Sequence, residues 1–400
     1  MNGPLQIGFI PLVDAAALII AVDKGFCTTE GLDVTLIREV SWSNVRDKLN
    51  IGLFDAAHML APVAIATSLG LGHVKVPIAA PINLGLNGNA ITLSPALHAA
   101  IMAEIDGDRF DPMTTALALA RVVAVRRKRG TAPLTFGMTF PFSTHNYQFR
   151  FWMAAGGVDP DEDVRLVVLP PPYMVDSLAN GHVDAFCVGA PWNSVAVDRG
   201  VGHILHFVSD ILVRAAEKVL AVRQNWSDRN PQVVAALIRA ASRAAEFIRQ
   251  PQNHAEAARI LSSPERIGVD AGVIQRALEA GSGFHPMALR AQVAGVCWWG
   301  VMAPRDRIRR RPPGFMRRWC IGGRPPSVRR RSGPRWRCSG RISAMRHWGG
   351  GVGPGDRTAG PVKAFAGPAF DPADIPGYLA ALEGRRRCLN GSLMPCKLNY

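Results

Sequence analysis

Trp42 and the polar residues around it are the part of the sequence best suited to binding a small anion. Ser41 and Ser43 can each cap a helix that begins beside Trp42. The first turn of a helix presents free N–H groups and the positive end of the helix dipole, which together favour an anion. A buried tryptophan in an ordinary β–α–β unit explains the same pattern, so this stretch alone leaves both interpretations open.

Two further loops offer hydrogen-bond donors. Asn87 and Gly88 begin an Asn-Gly-Asn sequence that can present backbone N–H groups and amide donors together, although a plain turn has the same residues. His145 follows Ser143 and Thr144, either of which can cap a helix predicted over residues 146–155. The imidazole then faces whatever the loop encloses, and a purely structural histidine is the alternative.

The elements that must position these residues form a mixed α/β pattern. A strand is predicted over residues 5–10, a helix over 14–24 and a second strand over 31–37. Strand, helix and strand with short turns predict a right-handed parallel unit. The Trp42 loop then lies at the carboxyl end of the second strand, where open α/β sheets bind their ligands.

A repeated pattern predicts two lobes built on one plan. Gly-x-x-Asp-Ala occurs from Gly52 and again from Gly181, each time after a predicted helix and at the start of a predicted strand. Gly189 follows the second of these strands. Two similar lobes facing each other would place a ligand in the cleft between them.

The composition excludes several classes of function. No cysteine and histidine cluster has the spacing of a metal site, and no nucleophile and base lie at a useful spacing, so we expect neither a cofactor nor an enzyme. The sequence has no apolar run of 18 or more residues, so no membrane-spanning helix is expected. The first residues lack the pattern of a secretory signal, which predicts a cytoplasmic protein; a leader encoded upstream would predict a periplasmic one.

The net charge of +15 comes from the C-terminal part alone. Residues 286–400 contain 22 Lys and Arg against 5 Asp and Glu, whereas residues 1–285 have a net charge of −2. The Arg-rich and Trp-rich composition of residues 286–369 has no periodicity, and we interpret this segment as the product of a shifted reading frame. Direct nucleic-acid binding through it is therefore not expected.

Several stretches resemble the nitrate/bicarbonate-binding (NrtA/CmpA-like) substrate-binding proteins of ABC transporters, and among them the cytoplasmic nitrate sensor NasS. The resemblance covers residues 4–285 and is carried by IGFIPLVDAAALIIAVDKGF, REVSWSNVRDKLNIGLFDAAHMLAP, LNGNAIT, TFPFSTHNYQFRFWMAAGGVDPDEDV, LANGHVDAFCVGAPWNSVAV and EKVLAV. It implies an α/β fold of the type II periplasmic-binding-protein class, with two hinged lobes around one small oxyanion. The domain assignment that follows is lobe I at 1–93 and 192–285, lobe II at 94–191, an aberrant basic segment at 286–369, a residual family-like helix at 370–383 and a tail at 384–400.

The resemblance also implies a set of ligand-binding residues. Trp42 matches the tryptophan that contacts the ligand, Gly181 matches a glycine of the pocket, and Asn87 falls where the transporter proteins carry glutamine. Gly88 and Gly189 complete this part of the predicted ligand-binding set.

The basic residues of the family's pocket are matched less directly. The pocket histidine falls at Met138, so that contact is missing and His145 is expected to replace it. The pocket lysine is expected near residues 212–214, and either Arg214 or Lys218 can supply its positive charge.

Two functions with different partners follow from the resemblance. The first is a cytoplasmic nitrate or nitrite sensor that regulates nitrate assimilation through a NasT-type RNA-binding antiterminator regulator. The second is the substrate-binding component of a nitrate, bicarbonate or sulfonate ABC transporter, whose partner is the ABC permease. An enzyme on the same fold, such as a thiamine-pyrimidine synthase relative, would need a reactive histidine or cysteine cluster, which the sequence does not offer.

Overall fold

The computed structural model describes residues 3–212 and 215–280. The strands in these ranges are β1 (Leu5–Phe9), β2 (Val34–Arg38), β3 (Ala56–Leu60), β4 (Ile78–Leu86), β5 (Asn89–Leu93), β6 (Thr135–Met138), β7 (Arg165–Val168), β8 (Ala185–Gly189), β9 (His203–Phe207) and β10 (Ala216–Arg223). The predicted basic segment, the helix at 370–383, the tail and Arg214 lie outside the described residues.

The helices complete the two lobes. They are α1 (Ala16–Asp23), α2 (Phe26–Thr29), α3 (Trp42–Ile51), α4 (Ala61–Leu69), α5 (Pro95–Ala103), α6 (Pro112–Lys128), α7 (Thr144–Ala155), α8 (Met174–Ala179), α9 (Trp192–Asp198), α10 (Val208–Ile211), α11 (Gln224–Arg229), α12 (Pro231–Arg249), α13 (His254–Leu261) and α14 (Ala271–Ala280), with short 3-10 helices at Val13–Ala15, Pro171–Tyr173 and Pro251–Asn253.

Two five-stranded sheets have the same topology. Their strand orders are β2-β1-β3-β10-β4 and β7-β6-β8-β5-β9. In each sheet three neighbouring strands are parallel, and the strand beside them in the sheet is antiparallel. That strand is β10 in the first sheet and β5 in the second. We name the part built on the first sheet lobe I and the part built on the second sheet lobe II.

The repeated Gly-x-x-Asp-Ala pattern has the same structural role in both lobes. The Asp55 carboxylate accepts the backbone N–H of Gln6 at 2.9 Å, and the Asp184 carboxylate accepts that of Thr135 at 2.8 Å. Each aspartate thus ties the start of β3 or β8 to the start of the neighbouring parallel strand. The motif therefore indicates the common plan of the lobes rather than a site of chemistry.

The chain crosses between the lobes at two places. The first crossing is Asn87 and Gly88, which join β4 to β5 with positive φ angles of 54° and 89°. The second lies between β9 and β10, and Ala215 in it is hydrogen-bonded to Asn87 twice: the backbone N–H of Asn87 donates to the Ala215 carbonyl at 2.9 Å, and the Ala215 N–H donates to Asn87 Oδ1 at 2.8 Å. The two crossing segments therefore form one connected unit.

The predicted boundaries between the lobes are displaced from these crossings. The boundary at residue 93 puts β5 in lobe I, and the boundary at residue 192 does the same for β9. Both strands instead hydrogen-bond within the second sheet, β5 with β8 and with β9. The turn-like residues between β4 and β5 do not close a hairpin, because the backbone changes sheet there.

An apolar cluster connects the two lobes. It contains Trp42, Met59 and Val63 from lobe I together with Phe140 and Trp192 from lobe II. Two other clusters fill the interiors of the individual lobes. The carboxyl ends of β1, β3, β6 and β8 therefore face a region in which apolar packing surrounds a small number of buried polar groups.

Candidate anion-binding site

Trp42 begins α3 at the edge where the lobes meet. The Ser41 side chain caps the helix by accepting the backbone N–H of Asn44 at 3.2 Å, which confirms the predicted N-cap. Trp42 is 2% exposed, and its Nε1 is buried without a partner among the described residues. A buried indole N–H without an acceptor costs free energy, so this donor is suited to a ligand atom.

Among the residues that the structure describes, Lys218 is the cation beside this indole, and two carboxylates hold it. Its Nζ lies 5.5 Å from the Trp42 ring centroid, 2.7 Å from Asp14 Oδ2 and 3.0 Å from Glu217 Oε1. The Lys218 side chain is fully buried, and so are its two partners to within 2% exposure. Burial opposes the ionisation of all three groups, but the attraction between Lys218 and the two carboxylates outweighs it. The pKa of Lys218 is therefore raised, that of Glu217 is lowered and that of Asp14 is lowered to about 2.

A bulge in β10 allows Glu217 and Lys218 to reach the same site. Adjacent residues of a regular strand point to opposite faces of the sheet. The pairing of β10 with β4 shifts register between Ala216 and Lys218 and again between Lys218 and Val219. Such an irregularity re-aims side chains, and here it brings a carboxylate and an ammonium group together. Because β10 runs antiparallel to β3, its first residues lie at the carboxyl end of β3, next to Leu60.

His58 supports the lysine through Asp14. Its Nε2 lies 2.9 Å from Asp14 Oδ1, and its ring centroid lies 5.4 Å from that of Trp42. Burial lowers the pKa of His58 against the opposing effect of Asp14, so the imidazole is neutral near pH 7. His58 therefore fixes the carboxylate that fixes Lys218.

His145 comes to the same cluster from lobe II. It lies in the first turn of α7, which Ser143 caps by accepting the Asn146 N–H at 3.1 Å. His145 Nδ1 lies 3.1 Å from Thr139 Oγ1 and 3.6 Å from Glu217 Oε1, and the Thr144 hydroxyl donates to Glu217 Oε2. The Nε2 atom is buried and has no partner in the described ranges. Burial lowers the pKa of His145 to about 4.

Asn89 is the amide at the site, rather than Asn87. Both polar atoms of the Asn89 side chain are buried without a partner within residues 3–212 and 215–280. Asn89 pairs with Gly189 at the junction of β5 and β8, and a Cβ built on Gly189 would lie 3.3 Å from both Asn89 Oδ1 and Asp14 Oδ2. The predicted residue Gly189 therefore lines the site by leaving room between an amide and a carboxylate. Asn87 and Gly88, also predicted as ligand-binding, belong to the crossing segment described above.

Gly181 does not belong to the cluster. It lies in an exposed turn with φ 71° between α8 and β8, and a Cβ there would meet no atom within 4 Å. This turn precedes the amino end of β8, whereas the buried polar groups gather at its carboxyl end. The structure therefore places the predicted residue Gly181 apart from the cluster, because the Gly-x-x-Asp-Ala motif marks the start of the strand.

The predicted ligand-binding set lacks four residues of the cluster, namely Asp14, His58, Asn89 and Glu217, although Asn89 belongs to the Asn-Gly-Asn sequence predicted to present amide donors. Asp14 and His58 lie in apolar stretches with no local signal of function. Glu217 and Lys218 do carry a signal, since two adjacent charges in the otherwise apolar strand EKVLAV must find partners if that strand is buried.

The comparison with protein families decides the affiliation of the chain. The model of the NMT1-like family matches residues 2–262. The chain belongs to the NMT1-like family. It is similar to the nitrate/nitrite binding protein NrtA of Nostoc sp. PCC 7120, with 34% identity over 280 residues, and to the bicarbonate-binding protein CmpA of Synechococcus sp., with 30% identity over 281 residues.

These relatives are longer than the matched part. The alignments cover 68% and 69% of this NMT1-like chain and 60% of each relative, so the chain spans less than two thirds of their length. The crystal structure of the periplasmic nitrate-binding protein NrtA from Synechocystis PCC 6803 matches at 32% identity with a TM-score of 0.62, covering 68% of this chain and 69% of that one. The predicted type II periplasmic-binding-protein fold is thereby confirmed.

No helix within residues 3–212 and 215–280 has both the length and the apolar composition needed to cross a lipid bilayer.

Proposed function

We propose that this protein is the substrate-binding component of an ABC-type importer and that it binds a small planar oxyanion of the nitrate or bicarbonate type. The anion lies between the lobes, in contact with Trp42, Asn89, His145 and Lys218. The names of the relatives support the choice of anion, since NrtA and CmpA are named for binding nitrate, nitrite or bicarbonate.

One observation carries the proposal. Three side chains around the Lys218 ammonium have buried polar atoms without partners in the described part of the chain: Trp42 Nε1, the Asn89 amide and His145 Nε2. Unpaired buried polar atoms are rare and costly, so a cluster of them from both lobes indicates a ligand.

The chemistry of nitrate fits this arrangement. Nitrate is flat, weakly hydrated and singly charged, so an indole, a few N–H donors and one cation can replace its water. Enclosure between the lobes excludes solvent and strengthens each charge-assisted hydrogen bond. We expect a dissociation constant of about 1 μM, or about −8 kcal/mol.

Isothermal titration calorimetry with nitrate tests the proposal. Trp42→Ala should weaken nitrate binding about 100-fold, and Trp42→Phe, which keeps an aromatic face but loses the N–H donor, about tenfold. Trp226→Phe is the matched control, because Trp226 is also buried in lobe I but belongs to the interior cluster away from Lys218. Nitrate affinity that Trp42→Ala leaves unchanged would refute this site.

A thermal-shift screen with nitrate, nitrite, bicarbonate and taurine then ranks the ligands. The rise in melting temperature follows the ratio of ligand concentration to dissociation constant, so the tightest ligand stabilises most at equal concentration.

The cytoplasmic sensor role predicted from the sequence is the second candidate. It shares the same anion site and differs in partner and compartment: a NasT-type RNA-binding regulator in place of an ABC permease. Similarity to the nitrate import ATP-binding protein NrtC of Synechocystis sp., at 35% identity over 266 residues, favours the permease. Co-purification from cells grown with and without nitrate distinguishes the two, since a sensor should release an RNA-binding regulator when nitrate is added.

A further inference from the structure

The charges buried at the site do not balance. Asp14, Glu217 and Lys218 are ionised near pH 7, which gives one positive and two negative charges. Cys187 on β8 is also close enough to interact with Glu217, and its pKa is raised by burial, so its thiol is neutral. With His58 and His145 neutral as well, the buried cluster has a net charge of −1 before any anion enters.

A neutral His145 is also poorly suited to receive an anion. Its Nδ1 faces the Glu217 carboxylate at 3.6 Å, so the proton of the neutral ring is favoured at Nδ1, where it can interact with that carboxylate and with Thr139. The unpartnered Nε2 atom then carries a lone pair, which repels an oxyanion. Protonation of Nε2 turns this atom into a hydrogen-bond donor, and the positive charge of the imidazolium cancels the negative charge that the oxyanion brings.

We propose that the oxyanion enters the site together with one proton, which binds His145 at Nε2 and forms a charge-assisted hydrogen bond to the anion. This inference rests on the proposed function. The proton comes from solvent and adds to the Nε2 lone pair; no covalent bond to the anion forms. The imidazolium then lies between the anion and the Glu217 carboxylate, and the cluster with its ligand keeps a net charge of −1.

The groups around His145 set the direction of the pH dependence. Without an anion, burial lowers the pKa of His145 to about 4; Glu217 and Asp14 raise it in part, and Lys218 lowers it. An adjacent anion favours the imidazolium and raises this pKa. Because the complex then holds more protons than the free protein, nitrate affinity falls as the pH rises, by up to about tenfold per pH unit.

Calorimetry in buffers of different ionisation enthalpy tests the proposal directly. Nitrate is the probe, since it neither takes up nor releases protons between about pH 5 and pH 8. The dependence of the measured heat on buffer enthalpy gives the number of protons taken up, which should reach about one per nitrate at the acidic end and decrease toward the alkaline end.

Two variants assign the proton to His145. His145→Gln should bind nitrate more weakly, with no proton uptake and an affinity that does not vary with pH. Glu217→Gln removes one negative charge and should bind nitrate about tenfold more tightly than the wild type at pH 8, with a weaker pH dependence. His182→Gln, in an exposed turn, is the control that should retain the wild-type uptake.

The outcomes separate the two proposals. Nitrate binding without proton uptake over the whole pH range overturns this inference and leaves the proposed function intact. Uptake that persists in His145→Gln overturns the assignment to His145. An absence of nitrate binding at every pH overturns the proposed function and, with it, this inference.

Discussion

Two buried asparagines on neighbouring elements differ in whether their side-chain amides are hydrogen-bonded within the protein. Asn193 accepts the Thr92 hydroxyl at 2.8 Å and donates to the Val188 carbonyl at 2.8 Å, so its amide is satisfied within the protein. Asn89, 1% exposed, has neither atom paired within the described ranges. Removing a satisfied amide leaves its partners without hydrogen bonds, whereas removing an unsatisfied one relieves a cost.

We therefore predict opposite effects for the same substitution at these positions. Asn89→Leu should leave the free energy of unfolding unchanged or raise it by about 1 kcal/mol, and should weaken nitrate binding at least about tenfold. Asn193→Leu should lower the free energy of unfolding by about 2 kcal/mol. Urea unfolding and calorimetry on both variants measure these effects. A strong loss of stability in Asn89→Leu would place its amide in the folding network instead.

At the level of elements, α7 connects the core of lobe II to the candidate site. Its first turn carries Thr144 and His145, and its last residue is followed by Gly156, which packs directly on α6. A Cβ on Gly156 would lie 2.2 Å from the carbonyl oxygen of Ala116. This backbone contact fixes the distance between the two helices and, through α7, the position of the imidazole.

Gly156→Ala should accordingly destabilise the protein by about 3 kcal/mol, because α7 must move away from α6. Gly157→Ala is a matched comparison, since its φ of 90° costs an alanine about 1 kcal/mol while its Cβ would meet nothing within 4 Å. Thermal unfolding of the two variants measures the difference. Equal losses would show that the contact with Ala116 is not limiting.

The starts of α3 and α7 could be predicted from the sequence because helix caps are local. Ser41 and Ser143 each accept an N–H three residues later, which needs no knowledge of the rest of the chain. This locality allowed both Trp42 and His145 to be proposed for the candidate site from the sequence. The lobe to which β5 and β9 belong could not be predicted in this way, because strand pairing joins residues that are far apart in the sequence.

The role of Lys218 was only partly predictable. The sequence predicts a positive charge at the ligand from either Arg214 or Lys218. It does not predict the two carboxylates that hold Lys218. Asp14 lies 204 positions away in an apolar stretch, and Glu217 reaches the site only through the irregular pairing of β10 with β4. Neither a long-range ion pair nor a bulge has a reliable signature in a single sequence.

At the scale of the whole molecule, aromatic contacts connect the rims of the two lobes. Phe142 from lobe II packs against the α4–β4 loop of lobe I, where a Cβ on Gly72 would lie 2.8 Å from its ring. The Arg46 guanidinium of α3 lies 5.4 Å from the Phe140 ring centroid. Contacts of this kind exist only when the lobes are together, so they stabilise the closed form selectively.

Phe142→Ala should therefore increase the rate of nitrate dissociation about tenfold, equivalent to about 1.4 kcal/mol, with little change in the association rate. Stopped-flow tryptophan fluorescence, with nitrate diluted or chased from the complex, measures both rates. Phe110→Ala, at a residue 44% exposed on lobe II, should leave them unchanged. A dissociation rate that does not respond to the loss of Phe142 would exclude this contact from closure.

The late position of β10 in the chain has a consequence for synthesis on the ribosome. β10 lies between β3 and β4 in its sheet, yet it is translated after every strand of lobe II. The nascent β3 and β4 therefore lack the strand that joins them until residue 223 has emerged, whereas all five strands of lobe II are available by residue 207. Lobe II can thus mature first on the ribosome, and β10, the last strand to be translated, then adds Glu217 and Lys218 to the candidate site.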